Sequence, residues 1–151
     1  MPGKCAQKST DDKSPRYVVL VTDMLYDFIY GKLRSRRAKA IVPKISILLE
    51  QARKNKVPVI YCNDEHNPND PELLLWGAHA MKGTKGSDVI QDLSPKVKDK
   101  IVTKTAYSAF DGGRLDILLR ESYEGKGATS LIMTGIHTHI CIKHSVYDAF
   151  V

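Results

Sequence analysis

Four apolar runs punctuate the chain, and each is followed by a polar cluster. Tyr17–Thr22 (YVVLVT) is apolar almost without interruption and rich in β-branched residues, the pattern of a strand buried on both faces. Val57–Cys62 (VPVIYC) repeats it, with Pro58 near the start, where a missing ladder donor is tolerated. Lys100–Thr103 predicts a short third strand and Ser130–Thr134 (SLIMT) a fourth. Between them the period lengthens. Ile41, Ile45, Leu48, Leu49 and Ala52 fall at helical spacing within Ala38–Lys54. Leu115–Glu121 predicts a helix announced by Asp111-Gly112-Gly113, and from Ile140 the spacing of Ile140, His144, Val146, Ala149 and Val151 is helical again.

Strands alternating with helices predict a three-layer α/β/α domain with a parallel sheet and right-handed crossovers. The strand order is left open; an order 3-2-1-4 would put a topological switch point between the first and fourth strands. Residues 1–15 are polar and predict a flexible tail, leaving 16–151 as a single domain. Asn63–Ser87, rich in Asn, Asp, Pro and Gly, is longer than an idle connection should be, so it is expected to carry function. The last helical pattern reaches Val151 without a capping glycine, so the expected fold includes the option of a domain truncated at its C-terminus.

Composition changes this picture little. A chain of 151 residues with 42% hydrophobic and 26% charged residues suits one globular domain. The net charge is +6, and the densest basic run, Lys32–Lys39, has no interleaved aromatic residues. It reads as a solvated helix start, and nucleic acid is not an expected partner. Three cysteines without paired spacing argue against a disulfide framework. No secretory apolar segment and no membrane-spanning run occurs, so a cytoplasmic protein without a membrane partner is expected.

Candidate chemistry follows from where ligands bind in open α/β sheets, at the carboxyl ends of the strands. Asp23 and Asp27-Phe28 follow the first strand, and Asn63-Asp64-Glu65-His66 the second. Lys104–Ser108 follows the third, and Gly135–Cys141 the fourth. A thiol, an acid and an amine at one edge suit nucleophilic catalysis: the acid takes the thiol proton and the amine stabilises charge. Cys141 at a helix start is expected to have its thiolate favoured by the helix dipole. Taken singly, a lone cysteine is usually a small core residue, Asp23 suits a helix cap and Lys104 a surface charge. Cys62 is expected in the core and Cys5 in the tail. Asp64, His66 and the later His79 offer three first-row metal ligands, suited to Zn, Fe or Mn, with open positions left. His137 and His139 suit either a polar cavity wall or a second metal site. No G-x-G-x-x-G follows the first strand, which disfavours a nucleotide-binding Rossmann protein.

Four blocks in order resemble the isochorismatase-like cysteine hydrolases, the superfamily of nicotinamidases, N-carbamoylsarcosine amidases and isochorismatases. They are Val21–Phe28, Asn63–His66 with Trp76–His79, Lys104–Phe110, and Gly135–Cys141. The resemblance runs from Val18 to the C-terminus. It implies Asp23, Lys104 and Cys141 as catalytic residues and the N–H groups of His137 and Cys141 as an oxyanion hole, with a cis peptide at Ile136–His137. It also implies a pocket walled by Phe28, Trp76 and Tyr107, a divalent metal on Asp64, His66 and His79, a small-molecule amide substrate and a homo-oligomer. Isochorismatases lack the metal triad and commonly the cysteine, so an amidase is expected. Nicotinamidase comes first and N-carbamoylsarcosine amidase second, with ureidoacrylate-type substrates open; the rival is a catalytically inactive scaffold. The chain departs from the resemblance in two ways. His137 and His139 stand where many relatives carry small or acidic residues, and the family continues with another strand and helix.

Overall fold

The computed structural model describes residues 14–151. The tail expected at 1–15 and Cys5 therefore lie largely or wholly outside the described residues. Four strands form the sheet: β1 (Tyr17–Thr22), β2 (Val59–Asp64), β3 (Lys100–Lys104) and β4 (Ser130–Gly135). Their order is β3-β2-β1-β4, and all neighbours run parallel. The expected α/β architecture is observed, and the order that the sequence left open is 3-2-1-4.

The uninterrupted apolar run of β1 has a direct cause. Val19 and Val21 point into one core and Val18 and Leu20 into the other, and all four are fully buried. The first core is closed by helix α2 (Arg36–Lys54), which supplies Val42, Ile45, Leu49 and Ala52. The second is closed by helix α4 (Arg114–Glu121), through Leu115, Leu118 and Leu119. A strand with a helix layer on each side has no wet face, so period-2 alternation disappears.

Local chemistry moves several boundaries from their expected places. Helix α2 begins at Arg36 because Ser35 caps it, its hydroxyl accepting the Ala38 N–H at 3.4 Å. The basic run therefore straddles a helix start, with Arg36 and Arg37 exposed. Strand β2 starts two residues later than expected. The N–H of Val57 is used by the Ala52 carbonyl at the end of α2, and Pro58 has none to give. The shift draws Asn63 and Asp64 into the buried strand, where Asp64 pairs in register with Lys104. Two short helices, α1 (Tyr26–Ile29) and α3 (Leu73–Trp76), have no sequence period long enough to reveal them. The last helical segment begins as a π-type turn at Thr138–Ile142 and continues as α5 (Lys143–Phe150). No helix among the described residues is long and apolar enough to cross a membrane.

Strand β4 is one edge of the sheet, and Gly135 at its end lies against the end of β1. It has φ +110°, and a Cβ there would sit 2.0 Å from the Thr22 carbonyl oxygen, one residue before Asp23. Both the torsion and the contact exclude a side chain. Gly135→Ala is expected to destabilise the fold by about 2 kcal/mol or more, read as a lower urea midpoint with unchanged slope.

Candidate active site

Asp23 directly follows β1 in a left-handed conformation, φ 56°, uncommon for a residue other than glycine. Its backbone N–H donates to the Cys62 carbonyl at 3.1 Å. One carboxylate oxygen accepts the Asp64 N–H at 2.8 Å, and the other accepts the Lys104 ammonium at 3.0 Å. Lys104 also bonds the Asp64 carboxylate. Asp23, Asp64 and Lys104 are buried to within a few per cent, which disposes of the helix-cap and surface-charge readings. Lys104 stands two strands from Asp23, as the strand order requires. Its side chain makes the crossing past β2, with no help from the loop after β3.

Cys141 sits in the π-type turn, its sulfur close to the Asp23 carboxylate. The sulfur and one oxygen each of Asp23 and Asp64 all lie within 4.8 Å of one another. The thiol, acid and amine therefore meet. Ser145, fully buried, holds the turn: its hydroxyl donates to the Cys141 carbonyl at 2.7 Å and accepts the Ala109 N–H at 2.9 Å. That bond ties the cysteine turn to the loop after β3. A serine four residues after the cysteine is the only sequence sign of it.

The electrostatics differ from the helix-start expectation. Burial first, and the Asp23 charge second, push the Cys141 thiol well above the usual thiol range, with Lys104 opposing. Burial and the Asp64 charge push the Asp23 carboxyl up to about 6, again against Lys104. Burial alone would pull Lys104 down, but Asp23 and Asp64 outweigh it and hold the ammonium above its ordinary value. The helix dipole does not decide the matter, because Cys141 lies two residues before α5 and faces a carboxylate. At neutral pH the proton rests on sulfur and Asp23 is the acceptor. Cys62, in the second core as expected, is pushed up to about 12, chiefly by burial.

Beside this group lie Asp64, His66, Glu72 and His79, each offering a ligand atom within 4.8 Å of the others. His66 uses Nδ1 on Asp70 at 3.2 Å and His79 uses Nδ1 on the Gly77 carbonyl at 2.8 Å. Both Nε2 atoms are buried without a partner. Ring nitrogens held from behind and bare in front fit a divalent metal. Glu72, pushed up to about 7 by burial and then by Asp64, is a fourth candidate ligand that no sequence motif marked.

The cavity above these groups measures about 220 Å³ and is lined by Phe28, Trp76 and Tyr107, and also by Leu33 and Ile140. Trp76 donates its indole N–H to the Tyr107 hydroxyl at 3.2 Å, closing one wall. His137 and His139 line the cavity too. They belong to none of the metal-type clusters among the described residues. Burial, then His139, lower the His137 imidazole, leaving it neutral at pH 7. The peptide Ile136–His137 is cis.

Comparison with known proteins bears on this arrangement. The isochorismatase domain matches residues 17–151. The chain is 31% identical over 143 residues to a probable inactive nicotinamidase of Arabidopsis thaliana, spanning 87% of this chain and 71% of that protein. N-carbamoylsarcosine amidase from Thermoplasma acidophilum superposes with a TM-score of 0.83 at 37% identity, covering 89% of this chain and 75% of that one. The pyrazinamidase/nicotinamidase of Streptococcus mutans superposes with a TM-score of 0.78 at 31% identity, covering 89% and 79%.

Removing Lys104, the one buried lysine or arginine among the described residues, leaves two buried carboxylates uncompensated. Lys104→Met is expected to cost about 3–5 kcal/mol of stability at pH 7 by urea denaturation. The deficit should shrink as pH falls and Asp23, already raised to about 6, takes up a proton.

Proposed function

The chain belongs to the isochorismatase-domain family of hydrolases, and from that premise we propose that it is a cysteine amidohydrolase. It cleaves a small amide to a carboxylic acid and ammonia through a thioester, with nicotinamide as the leading substrate. The observation that carries this reading is Asp23, held by Lys104 on one side and reaching the Cys141 thiol on the other, on the floor of an aromatic-walled cavity.

Asp23 takes the proton of Cys141, and the thiolate attacks the amide carbon. The N–H groups of His137 and Cys141 receive the oxyanion. Asp23 then gives its proton to the departing nitrogen, which leaves as ammonia. In the second half Asp23 deprotonates a water, which attacks the thioester carbonyl; the acid departs and the sulfur regains its proton. Lys104 stays protonated throughout and offsets the charge on Asp23 and on sulfur. Phe28, Trp76 and Tyr107 hold a planar substrate between them. Asp64, His66 and His79, with Glu72 beside them, would hold a divalent metal such as Zn, Fe or Mn. When bound, it supplies a Lewis-acidic anchor for a substrate ring nitrogen.

Two other readings have specific support. The identity of 37% to an N-carbamoylsarcosine amidase favours a carbamoyl amide in place of nicotinamide. Similarity to a probable inactive nicotinamidase favours a non-catalytic scaffold, in which the raised thiol stays protonated.

An ammonia-release assay over nicotinamide, pyrazinamide and N-carbamoylsarcosine, with and without chelator, separates these readings. Nicotinamide is expected to turn over, with chelator lowering the rate. Cys141→Ala is expected to abolish release; release that survives the substitution refutes the thioester route. No ammonia from any amide leaves the scaffold reading standing. The sign of the pH dependence follows from Asp23, which must be ionised to take the proton. With its carboxyl at about 6, kcat/KM should fall as pH is lowered through that value and level off above it.

A further inference from the structure

Asp27, in α1, is buried at 7% exposure, yet no ion pair to it occurs among the described residues. Its oxygens are turned on backbone. Oδ2 accepts the Ala80 N–H at 3.0 Å, and Oδ1 accepts the Lys32 N–H at 3.4 Å. Two glycines make room for it. A Cβ on Gly31 would lie 2.3 Å from Oδ1, and one on Gly86 would lie 2.2 Å from Oδ2. The carboxylate is thus enclosed by the chain at Gly31-Lys32, at Ala80 and at Gly86.

The residue it grips is unusual. Ala80 is fully buried and has φ 42°, a conformation that an alanine holds only when its surroundings impose it. It follows His79 directly in the chain, and its carbonyl accepts the His66 N–H at 2.9 Å. One residue therefore carries both histidines, the first covalently and the second by a hydrogen bond. The two rings stand 4.8 Å apart, centroid to centroid.

We propose that Asp27 is the positioning residue of the two-histidine site, setting the separation of the His66 and His79 Nε2 atoms by clamping Ala80. Asp27 touches neither substrate nor metal. The proposal rests on the metal reading given above for its ligand. It goes beyond that reading in assigning the site's geometry to a carboxylate outside it.

The test uses the whole chain with Asp27→Ala, Asp27→Asn and Gly86→Ala. Zinc affinity is measured by competition with a chromophoric chelator, and the His66 and His79 imidazole nitrogens are followed by NMR without metal. Asp27→Ala is expected to weaken zinc binding by about 10- to 100-fold. Asp27→Asn keeps an acceptor for the Ala80 N–H and should recover most of that loss. A general weakening of the fold would show no such rescue. Gly86→Ala displaces the carboxylate without removing it and should also weaken binding. It serves in place of Asp27→Ala if that variant does not fold. In the metal-free NMR, the His66 and His79 signals should move in Asp27→Ala while those of His144 stay.

Zinc affinity and histidine signals that match the wild type in folded Asp27→Ala and Gly86→Ala overturn the proposal. If the wild-type chain itself binds no zinc, the metal reading falls, and the metal-free spectra alone decide about Asp27: moved signals support the clamp and unmoved signals overturn it.

Discussion

One buried ammonium between two buried carboxylates organises this molecule. Lys104 reaches from the end of β3 to both Asp23 and Asp64, and none of the three has appreciable access to water. Two negative charges against one positive leave a surplus that the interior cannot screen. That surplus faces two ways. Toward Cys141 it raises the thiol and makes Asp23 a ready proton acceptor. Toward His66 and His79 it makes a negative pocket with two bare ring nitrogens, the setting in which a cation relieves the strain of like charges.

The sheet makes this cluster affordable. Asp23 follows β1 while Asp64 and Lys104 end β2 and β3, so the parallel ladder brings the three side by side, and the Asp23 carboxylate also takes the Asp64 N–H. The side chains then need only each other. Cys141 arrives from the fourth strand end, through the cis Ile136–His137 peptide and the π-type turn. Gly135 lets β4 approach β1 closely enough for that arrival, and Ser145 pins the turn to the loop that carries Tyr107. The aromatic walls come from two short helices, α1 with Phe28 and α3 with Trp76, and from the loop after β3 with Tyr107.

How much of this could be read from the residues varies with the physical range of each effect. The double burial of β1 was legible because Tyr17–Thr22 has no polar alternation. Helix α2 was legible because seventeen residues of helical spacing outweigh local noise. Helices α1 and α3 were not, since four residues cannot display a period. The start of β2 was misplaced because the Val57 N–H belongs to the end of α2, a contact that spacing does not encode. Glu72, Ser145 and the clamp on Ala80 depend on segments brought together only by the fold.

The sequence alone determined the parallel α/β architecture and singled out candidate chemistry-bearing residues at the strand ends, while the strand order came from the fold. The first two follow from burial patterns and from the rule that strand ends carry ligands, both of which act along a short stretch of chain. Tertiary structure alone decided the protonation of the site. An isolated cysteine near a helix start favours its thiolate, but here desolvation and a facing carboxylate are stronger, and neither exists until β1, β3 and β4 are assembled. Charge state in a protein interior depends on every group within a few ångströms, whatever its distance along the chain.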